Sequence, residues 1–543
     1  MRINNKEVRQ PKEIVTGCYY LGYVNKAFDR IVRRIETWLM AKVPEDVGLF
    51  DERIIRERLA QAIVATSRDS YGAYCAHRLT QGLELIPPDD QVLKIGGLVI
   101  DSRDGSVSLS PRRLVRSIAH FAYSWLLFLG SIMLGVLPQN GQNRRPATVL
   151  LGLGLKAILY QDSDVRFVRF CREGPILPLA KATRLLVQTT EGSGNISNPD
   201  IIYSRNPISD LVRDSHLGAR GRCKLLLSHM LIPFRVLMSL IRFPVLGLIV
   251  NDIAYIPSIQ TLDHAELLEA VLITNSSFSS QPLWMRGSVK RRFRVHEIHY
   301  SQNTLGFQYV KDPIIVGHPA FRHVSVDEHW VWTSGYKVHL VELGHRGAIH
   351  VVGPIMWYLP EPPLDRTDNE IQIVVFDVTP IYDHIATRMG IVSYYCCNEN
   401  VLRFIDDIVG VCQELEPMLG VRIRILMKHK RSFTNGFHDQ RYIDRIQVLE
   451  KTQARFDLVN YDENLFSLLE SCDLSISIPY TSTAYISSHL MKPAIYFDPS
   501  QQLLPTHEPT PYIQFVSGRA ELLKAMLRII APDNENRHTS SIA

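Results

Sequence analysis

The sequence predicts an α/β fold in which two doubly wound units face a cleft, preceded by a helical region and a hydrophobic helix. Three observations carry that expectation. Short β-branched runs alternate with helix-period segments from about residue 144 onward. Several of these runs end in hydroxyl, amide or acidic residues, where a parallel sheet presents its ligand loops. A stretch of about 20 residues without formal charge, Ile118 to Leu137, separates this part from a more polar beginning. At 543 residues the chain exceeds one compact core, and about 150 residues per domain suggests about three units.

Composition narrows the classes. With 46% hydrophobic and 21% charged residues the chain is globular rather than disordered. A net charge of +5 is small for this length, and no segment combines dense Lys and Arg with aromatics, so nucleic acid is not an expected partner. Eight cysteines are scattered, and the close pair Cys396-Cys397 lacks metal-ligand spacing. Residues 1–17 are polar and charged, so no cleaved secretory signal is expected. Both points favour the cytoplasm.

The elements follow in order. Residues 1–115 read as a helical N-terminal region in which Phe28, Ile31, Val32, Ile35, Trp38 and Leu39 form one apolar stripe, with Arg30, Arg33 and Arg34 off it. Residues 116–138 hold the hydrophobic helix, flanked by Arg112, Arg113 and Arg116 before it and Arg144 and Arg145 after it. A bilayer span, an interfacial helix and a buried core helix all stay open, because basic flanks on both sides give no orientation. Met230 to Val250 is a second apolar stretch, interrupted by Arg235, Arg242, Pro233 and Pro244, and suits a core or membrane-surface contact.

Residues 144–355 form the first α/β unit. Its strands are expected at Ala147–Leu153, Ala182–Gln188, from Ala270 into Asn275, at Arg292–Ile298, at Trp330–Trp332 and from His350, with a helix through Lys337 and Leu340. Residues 356–531 form the second. Ile371–Phe376 ends in Asp377-Val-Thr-Pro380, and a helix carries Val401, Ile405, Ile408 and Cys412 on one face. Val421–Met427 runs into Lys428-His-Lys-Arg431, Phe456–Val459 is a short strand, and Leu465, Phe466, Leu468 and Leu469 mark a helix. Residues 532–543 are a polar tail.

The series closes with strand, hydroxyl turn, helix and strand between Asp473 and Asp498. Unpaired N–H groups and the positive helix end favour an anion at Thr481, Ser482 and Thr483. A helix cap needs one hydroxyl and three are present. Lys428, Lys430 and Arg431 follow another strand of the same sheet, where they can hold a phosphate. Asp377 and Thr379 end the first strand of this unit and are candidate donor-side contacts, against an ordinary turn.

The run Pro479-Tyr480-Thr481-Ser482 resembles the signature of bacterial polysaccharide biosynthesis proteins named for a Pro-Phe-Thr-Ser motif, grouped with glycosyltransferases of the GT-B type. Tyr480 stands where the Phe would be, one hydroxyl added to the same ring. The likeness is strongest over roughly residues 265–500. It implies two Rossmann-like units, an acceptor unit and then a nucleotide-donor unit. It also implies a metal-independent glycosyltransferase of surface polysaccharide (capsule or O-antigen) biosynthesis. The partners would be a nucleotide-sugar donor, serving as substrate rather than cofactor, a glycan or lipid-linked acceptor, and the inner face of the plasma membrane. A CDP-polyol-type phosphotransferase and a non-catalytic scaffold of a polysaccharide assembly complex are alternatives with the same architecture.

On that reading the acceptor side falls at Tyr300, Ser301, Gln302 and Asn303, because similar His/Trp-Tyr-Ser-Gln-Asn runs occur in the family. Glu297 and His299 share one parity of their strand and are the expected catalytic groups, one serving as general base. Trp330 and Trp332 either stack on a sugar or fill the core. No Asp-x-Asp follows a strand, since Asp406-Asp407 lies in a helix and Asp89-Asp90 in a loop, so no metal site is expected.

Overall fold

The computed structural model describes residues 17–43, 52–80, 92–135, 145–153, 163–189, 198, 200–215, 217–275, 281–286, 291–301, 307–310, 312–316, 323–366, 369–380, 397–435, 438–505 and 510–531. In the N-terminal region the apolar stripe forms from Ile31 to Leu39, and the Phe28 side chain lies outside the described residues. Helix α1 (Gly17–Lys42) buries Ile31, Val32, Ile35 and Leu39 in a core shared with α2 (Glu52–Thr80). Three short antiparallel strands follow, β1 (Val92–Ile95), β2 (Leu98–Asp101) and β3 (Val107–Leu109). Gly96 and Gly97, at φ 57° and 79°, make the two-residue turn between the first two, a geometry that side chains resist. The helical region therefore also carries a small sheet, which three- and four-residue alternations do not reveal in sequence.

Pro111 opens helix α3 (Pro111–Leu134) behind Ser110, whose hydroxyl accepts from the Arg113 amide at 3.3 Å. The first parallel sheet then begins with β4 (Ala147–Leu151), α4 (Ser163–Glu173), β5 (Leu185–Gln188) and β6 (Ile201–Ser204). After α5 (Pro207–Asp214), α6 (Ala219–Arg242) and α7 (Ile256–His264) come β7 (Leu268–Thr274) and β8 (Arg294–Ile298). A hairpin of β9 (Phe307–Tyr309) and β10 (Asp312–Val316) intervenes before β11 (Glu328–Val331), α8 (Ser334–Glu342) and β12 (Ala348–Val351). Among the described residues the strand order is β12-β11-β8-β7-β4-β5-β6, every pair parallel.

The second sheet has β13 (Glu370–Phe376), α9 (Asn398–Leu419), β14 (Arg422–Lys428), α10 (Gln440–Thr452) and β15 (Phe456–Val459). It continues through α11 (Leu465–Ser471), β16 (Leu474–Ser477), α12 (Ser482–His489), β17 (Ala494–Asp498), β18 (Ile513–Ser517) and α13 (Arg519–Ile530). The order β15-β14-β13-β16-β17-β18 is again all parallel. Strands are laid outward from β13 to β15, and the chain then returns to β13's other side, so the order reverses between β13 and β16. Such a reversal opens a crevice at the carboxyl ends of the two strands. The molecule has the two Rossmann-like units that the motif's resemblance implies.

One apolar core joins the units. Trp330 and Trp332 from the first and Trp357 and Tyr358 from the connecting segment share it with Val374, Phe376, Phe466, Tyr485 and Tyr496 from the second. Trp330 and Trp332 are both buried, which makes both core residues. Trp357 stands edge-on to Phe170 of α4 at 5.3 Å. The connecting segment is held where Asn464 Nδ2 and Ser467 Oγ donate to the Leu359 and Glu361 carbonyls, each at 3.1 Å.

Both apolar stretches are helical, and they lie antiparallel against each other. Trp125 Nε1 donates to the His229 carbonyl at 2.9 Å, and the Arg222 guanidinium to that of Ile132 at 3.2 Å. Pro233 does not interrupt α6, which runs through it and ends before Pro244; the lost backbone bond falls on a surface helix whose other face is fixed by packing. Phe128, Ile132 and Leu225 enter one core, and Phe121, Ile232, Val236 and Leu240 another. The opposite faces leave Val115, Ile118, Tyr123, Leu126 and Met133 of α3, and Leu227, Met230, Leu231, Phe234 and Ile241 of α6, exposed. Neither helix contains Asp or Glu.

His229 sits at this helix contact, with Nε2 2.9 Å from Ser258 Oγ and its ring stacked on Phe128. Burial pushes its pKa down to about 4. In the unfolded chain it titrates near about 6.5, so between those values the native state binds fewer protons. The stability contributed by neutral His229 is full above about pH 6.5 and is lost as the pH falls toward 4. Urea unfolding is expected to show a loss of up to roughly 3 kcal/mol over that window, and His229→Gln should flatten it; equal slopes in both proteins would refute the assignment.

Candidate functional site

Lys428, Phe376, Ser477 and Tyr496 stand in register across the carboxyl edge of the six-stranded sheet. Beyond it each strand turns. After β16 the chain runs through Pro479 into Tyr480, which adopts a left-handed conformation at φ 64°. That conformation costs on the order of 1–3 kcal/mol in a non-glycine residue. It is held by packing of the Tyr480 ring against Tyr496 and Phe515, centroids 5.8 and 6.2 Å away, and by a hydrogen bond from its hydroxyl to the Leu504 carbonyl. Tyr496 adds a bond from its own hydroxyl to the Thr481 carbonyl at 2.7 Å.

The turn aims the start of α12 across the sheet edge. Thr481 occupies the cap position yet makes no capping bond; its hydroxyl donates back to the Ile478 carbonyl at 2.9 Å and lies 3.3 Å from that of Thr483. Ser482 and Thr483 are half-buried beside it. The helix thus presents an N-terminus without a side-chain cap, where backbone N–H groups favour an anion.

Asp377 is buried and committed. Its carboxylate accepts from the Lys430 amide at 2.6 Å and the Tyr442 hydroxyl at 2.5 Å, and burial raises its pKa despite those donors. It fixes the turn after β14 to the end of β13. Lys428 is also buried and donates to the Tyr461 carbonyl. Burial pushes its pKa down to about 8, against the pull of Asp377, Asp462 and Glu463. Lys430 and Arg431 reach solvent at the same edge. The sequence-expected donor residues Asp377, Thr379, Lys428, Lys430, Arg431, Thr481, Ser482 and Thr483 are therefore gathered along one sheet edge, although Asp377 and Lys428 brace its backbone.

Among the described residues, four side chains at this edge carry buried polar atoms with no hydrogen-bond partner: Thr379 Oγ1, Ser477 Oγ, both ring nitrogens of His438, and the amide oxygen and nitrogen of Asn398. Thr379 and Ser477 follow β13 and end β16. His438 is drawn to them because the Asp439 amide beside it donates to the Pro380 carbonyl at 3.0 Å. Asn398 opens α9, the crossover that leaves β13 at this edge. Buried polar atoms are seldom left unpaired, and these four residues share the carboxyl side of this sheet. Burial pushes His438 down to about 4, so it stays neutral near pH 7, with one ring N–H to donate.

The expected acceptor residues divide. Tyr300 is half-buried with its ring 5.9 Å from Trp357, and Ser301 accepts from Asn275 Nδ2, 3.0 Å to its carbonyl and 3.3 Å to its hydroxyl. Gln302 and Asn303 lie outside the described residues. Glu297 and His299 are fully buried on the α8 side of the first sheet, opposite the Trp330 face, and do not line the cleft. A cleft of about 450 Å³ does separate the units, between Trp332–Gly335 and Gly353-Pro354 on one side and Tyr485, Ser488 and His489 on the other. It opens at the far end of α12 from Thr481, so helix α12 links it to the polar edge.

A family model for polysaccharide biosynthesis PFTS motif proteins matches residues 235–526. The chain belongs to this family. No curated protein sequence matches it. Among solved structures it is similar to the UDP-GlcNAc 2-epimerase of Methanocaldococcus jannaschii, at 12% identity and a TM-score of 0.35, over 71% of this chain and 93% of that one. It is also similar to the wall teichoic acid polymerase TagF, at 10% identity and a TM-score of 0.37, over 76% and 86%. The glycosyltransferase SnogD from Streptomyces nogalater gives 12% identity and a TM-score of 0.34, over 72% and 92%.

This member of the PFTS family departs from the motif at Tyr480, and the structure shows what the extra hydroxyl does. It bonds the Leu504 carbonyl and so ties the chain beyond β17 to the motif turn. Tyr480→Phe, which restores the family's ring, is expected to lower stability by about 1 kcal/mol in denaturant unfolding and to leave ligand binding at α12 intact. An unchanged midpoint would show that the bond contributes nothing net.

Proposed function

We propose that this chain is a glycosyltransferase that binds a nucleotide-sugar at the carboxyl edge of its six-stranded sheet and passes the sugar to a glycan or lipid-linked acceptor at a membrane surface. The observation that carries the reading is the set of partnerless buried polar atoms of Thr379, Ser477, Asn398 and His438 around the strand-order reversal, beside the uncapped start of α12. Phosphate oxygens are strong acceptors, and the Thr379 and Ser477 hydroxyls, the Asn398 amide N–H and one His438 ring N–H are donors for them. Lys430, Arg431 and the helix N-terminus then oppose the charge that grows on the departing nucleotide. Lys428 and Asp377 position this edge. Glu297 and His299 lie beneath α8, so this reading gives them no contact with the acceptor.

The donor site is tested by calorimetric titration with CMP, CDP, UDP and their sugar derivatives. Thr379→Val and Ser477→Ala are each expected to weaken the binding nucleotide about tenfold, or about 1.4 kcal/mol, without lowering the melting temperature. Unchanged affinity in both variants would remove this edge as the donor site.

The membrane part rests on α3 and α6. Each is 24 residues, about 36 Å, and each is buried along one side and apolar along the other. Crossing a bilayer would strip Phe128, Ile132 and Leu225 from their core, whereas lying flat costs nothing there. Arg112, Arg116, Arg220, Lys224, Arg235 and Arg242 are exposed on the same two helices, and no acid offsets them, which suits anionic lipid. The protein is expected to sediment with vesicles containing phosphatidylglycerol at low salt, and the double change Leu231→Glu and Phe234→Glu to release it with its fold and donor affinity retained. Equal sedimentation of both proteins would reject the platform.

A further inference from the structure

Beneath α8 the first sheet holds a cluster that the proposed transfer does not use. Glu297 on β8 and His329 on β11 are cross-strand partners, and His299 follows on the same face. All three are buried, with exposures of 0%, 1% and 1% in that order. Glu297 Oε2 lies 3.0 Å from His329 Nδ1 and 3.4 Å from His299 Nε2, and those two nitrogens are 3.4 Å apart. Although the contacts are short, neither carboxylate oxygen has a donor in hydrogen-bonding geometry.

Those edges match a familiar shape. Ligands about 2.0–2.1 Å from a tetrahedral zinc stand about 3.3 Å from one another. A carboxylate in a dry interior needs a cation or several donors, and both ion-pair contacts of Glu297 are imidazoles. A metal-binding imidazole commonly has its other nitrogen bonded to a second group that fixes the tautomer. His299 has this arrangement: its Nδ1 is 3.1 Å from the hydroxyl of Tyr336, on α8. His345, just past the end of α8, packs its ring edge-on against that of His329 with centroids 4.9 Å apart.

We propose that Glu297, His299 and His329 hold a buried divalent transition metal of the zinc class. All three ligands are buried and none lines the cleft, so the metal's role is structural. It would tie β8 to β11 beneath α8, whose start, Thr333 to Gly335, lines the cleft. The inference is independent of the donor reading, since it concerns the other sheet. It also shows why spacing gave no warning: Glu-x-His on one strand and His329 on the next meet only when β8 pairs with β11 in parallel.

The test is metal content. Full-length protein purified from zinc-supplemented medium is expected to carry about one equivalent of metal per chain by mass spectrometry of the digested sample. Chelator treatment should lower its melting temperature, zinc should restore it, and cobalt in place of zinc should show the visible absorption of a tetrahedral site. His329→Ala and the milder Glu297→Gln are expected to lose the metal. Wild-type protein with less than about a tenth of an equivalent and no thermal response to zinc would overturn the proposal, and so would stoichiometric metal retained by both variants. The wild-type measurements decide the question even if a variant fails to fold.

Discussion

Strand β11 imposes the constraint on which the rest depends. Trp330 and Trp332 point into the core shared by the two sheets, while His329 and Val331, which alternate with them, point toward α8. Two-residue alternation puts two unlike environments on one strand, an aromatic seam and a polar interior. A register slip of one residue would drive imidazole into the seam and indole into the polar cluster, so the pairing with β8 and β12 is strongly specified. Because Trp357 and Tyr358 on the connecting segment enter the same seam, the second unit is fastened where the first one ends. The cleft is the space that this fastening leaves.

Much of the second unit was legible. Continuous apolar runs buried on both faces are the signature of central parallel strands, and the boundaries of β13 and β14, like those of the edge strand β15, fall within a residue of those read from sequence. Elements without that texture went unread, among them β6, whose four residues end in Tyr203 and Ser204, and α4, whose apolar positions are matched in number by charges. The site was legible in part for the same reason. Hydroxyls and bases at strand ends announce a ligand edge, but Lys428 and Asp377 spend their polar atoms on the backbone, while Asn398, Ser477 and His438 keep theirs open. Whether a polar atom is satisfied depends on neighbours far along the chain, and no local pattern reports it.

The motif turn shows how local strain and tertiary bonds are matched. A left-handed Tyr480 would drift to a commoner conformation in an isolated peptide. Here its ring is clasped by residues of β17 and β18, and its hydroxyl by the chain that connects them. The helix start is therefore rigid before any ligand arrives, which lowers the ordering cost of binding.

In the proposed membrane-bound state, the antiparallel pairing of α3 and α6 would set the dimensionality of the acceptor search. A protein resting on a leaflet through both helices keeps its height and tilt fixed, so an acceptor anchored in that leaflet meets the cleft by lateral diffusion at a constant depth. Encounter is then governed by the number of acceptors per unit area, and the bulk volume of the cell drops out of the problem.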